Sequence, residues 1–286
     1  MELGRLGVWW SGSWRREDGS SDVAAELESL GYGTLWSSGR FDPGISKHFE
    51  RIISETSQLV VASGIISIWV NDPGELSDAF DDLDNRHPGR FLLGLGVSHA
   101  PIVQEYERPF SRMVAFLDAL TVDPGRRVLA ALAPRMLELA AERSSGAHPY
   151  FVPVEHTARA REILGPDALL APEVTVVLEP DPHAAREIAC SFTTGYLALP
   201  NYAGNLRFLG FSDEDLAGGG SDRLVDSVVC WGDAETVAGK IKRHYEAGAD
   251  HVCIQVLPDT RNAGGEAASS GFPIAGYREL APAILG

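Results

Sequence analysis

Short runs rich in β-branched and aromatic residues alternate with amphipathic segments along nearly the whole chain. This alternation limits the fold more than any single motif. The runs lie at 5–10, 33–38, 65–72, 89–101, 126–132, 147–153, 171–180 and 251–257. Between them, apolar residues recur at helical spacing: Val23, Leu27 and Leu30 in one segment, then Phe49, Ile52, Ile53, Leu59 and Val60 in a helix read over 46–64. A helix between successive strands implies crossover connections, and crossovers imply a parallel sheet. Eight such strands in 286 residues favour closure into an α/β TIM (β/α)8 barrel over an open sheet.

The rhythm breaks once. Between the last two runs, 200–231 exceeds a single crossover helix and contains Gly218-Gly219-Gly220. It reads as an insertion of short helices over the barrel mouth, within one domain spanning 1–286. The stretch at about 259–270 is poor in large apolar residues and reads as flexible.

Composition narrows the function. A formal charge of −16 repels polyanions, and no basic stripe offsets it, so nucleic acid is not an expected partner. The three cysteines, odd in number and without metal-like spacing, fit a reduced, cytoplasmic compartment. The most apolar stretch, Leu59 to Val70, is interrupted by Ser63, Gly64 and Ser67 and is too short to span a bilayer. No signal peptide is seen, and the eight histidines are too scattered to suggest a metal site.

The stretch "GRFLLGLGVSHAP" (89–101) admits three readings. A dinucleotide fingerprint wants a third glycine where His99 stands, and an immediate helix where Pro101 and Pro109 flank a loop. A nucleophilic Ser98-His99 pair is disfavoured because neighbours on a strand point to opposite faces. The remaining reading is a barrel strand, buried by Phe91 to Leu95, with Gly94 and Gly96 allowing close approach and Ser98 and His99 at its mouth.

Active sites of such barrels sit at the C-terminal strand ends. Trp9, Trp10, Trp36 and Trp69 all fall there and suit the walls of a pocket for a flat, partly apolar ring, with Ser38 beside them. Two strand-to-helix turns are candidate anion sites through free backbone N–H groups: Leu132-Ala133-Pro134-Arg135, where Arg135 and Met136 can donate, and "FVPVEHT", where His156 and Thr157 add side-chain donors.

With these residues in place, the chain resembles the luciferase-like monooxygenase superfamily, and most of all its branch of coenzyme F420-dependent oxidoreductases. The resemblance rests on "GYGTLW", "HPGRFLLGLGVSHAP", "YERPFSRMVAFLDAL", "LPNYAGNLRFLGF" and "AGADHVCIQVL", among others, and covers nearly the whole chain. It implies hydride transfer between the deazaflavin F420 and a small organic substrate, and His99, whose imidazole titrates near neutrality when unperturbed, is the candidate proton donor or polariser. The alternatives are an FMN-dependent monooxygenase and a non-catalytic cofactor-binding barrel. It further implies a non-proline cis peptide near Ser67-Ile68-Trp69, cofactor contacts at Ser67, Ile68, Trp69, Ser98, His99, Ala131, Leu132, Ala133, Pro134, Val152, Pro153, His156 and Thr157, and a ring or substrate wall at Trp9 and Trp69. Barrels of this kind often pair through helices after the early strands, which implies a homodimer. Many relatives carry an acid–His pair after strand two. This chain has Ser37-Ser38-Gly39-Arg40 there, and Ala133 stands where a glycine is common.

Overall fold

The computed structural model describes residues 1–10, 23–39, 43–259 and 271–286. Its strands are β1 Leu6–Trp9, β2 Thr34–Gly39, β3 Val60–Ser67, β4 Phe91–Gly96, β5 Arg127–Leu129, β6 Gly146–Ala147, β7 Leu169–Leu170, β8 Glu173–Leu178, β9 Val229–Gly232 and β10 Val252–Val256. The helices are α1 Ala24–Ser29, α2 Pro43–Ser54, α3 Pro73–Arg86, α4 Pro109–Ala119, α5 Pro134–Arg143, α6 Val154–Leu164, α7 Pro182–Leu197, α8 Pro200–Phe208, α9 Asp213–Leu216, α10 Asp222–Val228, α11 Ala234–Glu246 and α12 Ile274–Leu285.

Every strand pair is parallel, in the order β7-β6-β5-β4-β3-β2-β1-β10-β8-β9. β7 and β8 are two parts of one barrel strand, parted only by Ala171 and Pro172. The first part pairs with β6, the second with β10, and β10 pairs with β1, so this strand completes the ring. Counting β7 and β8 as one and leaving β9 aside, eight strands of the described residues form the barrel.

Alternation along the strands divides the core. Leu35 faces outward into the cluster shared with the helices, while Trp36 faces into the barrel with Trp9, Ala62, Leu92 and Val128. A separate cluster joins Phe151 and Val177 to Ile188 of α7, Tyr202 of α8 and Leu224 of α10. Helix starts follow local chemistry: Asp72 and Asp181 cap α3 and α7, each followed by proline in the first turn.

Several boundaries differ from the sequence reading. The helix expected over 46–64 stops at Ser54, and Val60 opens β3 instead, because β-branched Val60 and Val61 pair with β2 and β4. The sixth strand shrinks to Gly146–Ala147, since Pro149 has no N–H to donate and Phe151 takes a left-handed conformation, φ 56°. The segment 200–231 holds α8, α9 and α10 as short helices, but its end forms β9, which was not anticipated. Of the stretch expected to be flexible, 260–270 lies outside the described residues, as does Arg40 after the second strand.

The expected cis peptide lies at Gly64–Ile65, not near Ser67-Ile68-Trp69. Ile66 and Ser67 stay in register with Leu95 and Gly96, so the irregularity is confined between Ala62 and Ile66. Ser63 bridges it: its hydroxyl donates to Gly94 O at 2.9 Å and accepts from Gly94 N at 2.7 Å. A Cβ on Gly94 would lie 1.9 Å from Ser63 O. Gly94→Ala is therefore expected to destabilise the fold by about 3 kcal/mol or more. Gly239→Ala, in the exposed interior of α11 where a Cβ meets nothing, is expected to stabilise it by about 0.5–1 kcal/mol. Urea unfolding of the two variants checks both signs.

Candidate active site

A cavity of about 770 Å3 opens at the C-terminal ends of the strands, within the range of small-molecule sites, roughly 300–1,000 Å3. None of the described residues that line it carries a charged side chain. One side is formed by Gly64, Ile65 and Gly96 from β3 and β4. A Cβ on Gly64 would lie 2.6 Å from Trp9 Nε1, and one on Gly96 would lie 2.6 Å from Ile65 Cδ1. Any larger residue would therefore displace Trp9 or Ile65. Trp9 closes the base: its Nε1–H donates to Gly64 O at 3.1 Å, and its ring lies 5.0 Å from that of Tyr150.

Aromatic residues from outside the barrel ring form the opposite wall. Tyr150 donates to Gln255 Oε1 at 2.7 Å, and its hydroxyl lies 2.8 Å from that of Tyr196 of α7. Tyr202 of α8 packs against both Tyr196 and Phe151. Behind this wall lies a fully buried carboxyl. Glu173 accepts from Phe151 N at 3.2 Å and Thr175 Oγ1 at 2.8 Å, so it supports the left-handed residue that follows Tyr150. Burial pushes its pKa up to about 7, against the pull of those two donors.

The loop after β4 delivers His99 to the rim. Ser98 is left-handed at φ 55°, and His99 O accepts from Ile102 N at 2.9 Å and Val103 N at 3.2 Å. The half-buried imidazole lies 2.9 Å, through Nδ1, from Asn201 Oδ1 of α8 and 5.2 Å from the Tyr202 ring. Burial lowers its pKa below the usual histidine value, and the Asn201 contact works in the other direction. Burial thus favours the neutral form of the ring.

Of the residues singled out from sequence, Trp9, Ser38, Gly96, Ser98, His99, Leu132, Ala133, Pro134 and Met136 meet at this cavity. The others lie elsewhere. Trp36 is inside the barrel, stacked on His148 at 4.2 Å and donating to His251 Nε2 at 3.1 Å, because its β2 position points inward below the mouth. Trp10 points to the other side of β1, edge-on to Phe272 at 5.5 Å. Trp69 donates to Val97 O at 2.6 Å and packs on Tyr106, with Ser67 and Ile68 on the same stretch beyond the cavity lining. Ala131, Val152 and Pro153 are buried beside the two turns.

His156 and Thr157 are likewise buried and work as fasteners. His156 Nε2–H donates to Leu132 O at 2.9 Å, tying the second turn to the first, and Thr157 Oγ1 lies 2.9 Å from His244 Nδ1. Of the two N–H donors expected at the first turn, that of Met136 is engaged by Ala133 O. Gly64, Tyr150, Tyr196, Asn201 and Tyr202 were not foreseen as lining residues. Tyr150 follows a two-residue strand, and Tyr196, Asn201 and Tyr202 lie on α7 and α8, off the barrel's own register.

The bulge that presents Gly64, the strand-end cavity and the closed parallel ring can be compared with known proteins. Residues 18–122 match the luciferase-like monooxygenase family. Solved structures match the fold along nearly the full length of the chain. One is an F420-dependent secondary alcohol dehydrogenase in complex with an F420–acetone adduct, 16% identical, covering 99% of both chains at a TM-score of 0.71. A second is a coenzyme F420-dependent tetrahydromethanopterin reductase from Methanopyrus kandleri, 15% identical over 98% of both chains at 0.65. A third is the oxygenating constituent of 3,6-diketocamphane monooxygenase of Pseudomonas putida, in complex with FMN. It is 15% identical over 98% of this chain and 96% of that one, at 0.65. At such identities the likeness is one of fold. No curated protein matches the chain in sequence. No helix of the described residues is long and apolar enough to cross a membrane, and no group of their side chains could hold a metal ion.

Glu173 sets a pH dependence for this barrel. Its carboxyl titrates near 7 in the fold and near 4.5 in the unfolded chain, so between these values the folded state holds more protons. Stability is then expected to fall by roughly 3 kcal/mol as pH rises through that window. Glu173→Gln removes the titration and should flatten the slope, which urea unfolding at a series of pH values measures.

Proposed function

We propose that the protein is an oxidoreductase that transfers a hydride between the deazaflavin coenzyme F420 and a small, uncharged organic substrate, with His99 handling the accompanying proton. The observation that carries this reading is the uncharged cavity of about 770 Å3, walled by Gly64, Ile65 and Gly96 and rimmed by His99, in a luciferase-like barrel. The glycines leave a low surface on which a flat ring system can lie, with Trp9 and Tyr150 closing its base. When bound, the coenzyme supplies the two-electron acceptor or donor.

The chain's own groups account for the rest. The N-terminus of α5 at Pro134 lies at the cavity, and Arg159 sets its guanidinium over the Phe208 ring at 4.1 Å. Both bring positive potential to the rim, where an anionic tail of the coenzyme would be held. Neutral His99 takes a proton from a substrate hydroxyl in the oxidising direction and returns it in the reducing one. The aromatic wall excludes water and disfavours a charged substrate.

A second reading, an FMN-dependent monooxygenase, is supported by the likeness to the FMN-bound oxygenating subunit. Titration of the purified protein with F420 and with FMN, followed by fluorescence quenching, separates the two. Saturable binding of F420 is expected, and binding of FMN alone would replace the first reading by the second. In a reduced-coenzyme oxidation assay, His99→Gln should lower kcat by about 10²–10⁴-fold while leaving coenzyme affinity nearly unchanged.

A further inference from the structure

We propose that Asn201 is a positioning residue that holds His99 in its Nδ1–H tautomer, so that Nε2 is kept as the proton acceptor at the cavity. The use made of that acceptor rests on the oxidoreductase reading above. The geometry does not.

His99 Nδ1 and Asn201 Oδ1 lie 2.9 Å apart, between residues separated by 102 positions. An amide oxygen has lone pairs and no hydrogen, so Nδ1 must donate. A neutral imidazole carries one ring hydrogen, and with Nδ1 protonated Nε2 bears the free lone pair. In an unrestrained histidine side chain the Nε2–H form is the more common one. Asn201 therefore selects the tautomer that water alone does not favour.

The restraints on the ring come from two sides. The loop after β4 fixes the backbone through left-handed Ser98 and the two N–H groups bonded to His99 O. Helix α8 fixes the ring: Asn201 in its first turn holds Nδ1, and Tyr202, the next residue, packs 5.2 Å from the imidazole. The proton acceptor is thus positioned by a segment outside the barrel ring. A carboxylate in place of the amide would hold the imidazole as a cation and fill the acceptor position with a proton. Asparagine orients the ring and leaves it neutral.

This arrangement balances the chemistry of an alcohol-to-carbonyl step. In such a step the substrate C–H bond would break with its electron pair leaving as hydride, for which a bound coenzyme would be the acceptor. The O–H bond breaks with its proton passing to His99 Nε2, and the C=O bond forms. The resulting imidazolium keeps its Nδ1–H bond to Asn201.

Nuclear magnetic resonance of protein carrying 15N-labelled histidine tests the inference without substrate or coenzyme. The His99 signals are assigned by their loss in His99→Gln. Above pH 7 the wild-type ring is expected to show the Nδ1–H pattern. Asn201→Leu should convert it to a mixture dominated by Nε2–H. Asn201→Asp should raise the His99 pKa by about one unit or more. A predominantly Nε2–H ring in the wild type would overturn the inference. So would an unchanged Nδ1–H ring in Asn201→Leu. In turnover, Asn201→Leu is expected to lower kcat by about tenfold or more, with a smaller change in KM. A protein that binds no F420 but shows the expected tautomers would refute the coenzyme and leave the Asn201–His99 pairing standing.

Discussion

The contact between Ser63 and Gly94 is the constraint on which the site depends. At the bulge in β3 the backbone ladder to β4 is interrupted, and the Ser63 hydroxyl replaces the missing links by both donating to and accepting from Gly94. Such a close approach requires that Gly94 have no side chain. Unpaired backbone groups inside a barrel are costly, so the bulge is tolerable only where a side chain satisfies them. Its consequence is that Gly64 and Ile65 leave the strand's regular path and form one side of the cavity.

Below the cavity the barrel is filled by a column of aromatic and neutral polar groups. His251 donates through Nδ1 to Gly4 O at 2.8 Å and accepts from Trp36, which stacks on His148, which in turn donates to Ala171 O at 2.7 Å. Burial holds both imidazoles at a pKa of about 4, so they serve as uncharged hydrogen-bonding fillers. The same logic keeps charge out of the cavity above them. The base of the site is rigid and belongs to the ring, while Tyr196, Asn201 and Tyr202 are brought by α7 and α8. The cavity is thus assembled from two parts of the molecule, the barrel ring and the helices packed onto it.

Much of this was legible in the residues. The β-strand "FLLGLG" reads as a fully buried barrel strand, its two glycines as points of close approach, and Ser98-His99 as its mouth. The Asp-Pro pairs at the starts of α3 and α7 are local signals of the same kind. The failures were of two kinds. Local pattern misplaced boundaries where tertiary pairing overrode helical spacing, as at Val60 and Val61. It also counted every tryptophan near a strand end as a pocket wall, although a shift of one residue along a strand sends a side chain to the other face. Trp9 reaches the cavity, while Trp10 packs behind β1 against Phe272.

The sequence by itself determined the repeated strand–helix order, the parallel barrel, the burial of β4 and the presence of a histidine at its end. Each follows from periodicity and local steric preference, which act over a few residues. Only the tertiary structure decided which side chains share the cavity, that Glu173 is a buried carboxyl behind its wall, and that His99 meets Asn201. Those facts depend on barrel closure and on the packing of α7 and α8 onto Phe151. Contacts between residues a hundred positions apart leave no periodic trace in the chain.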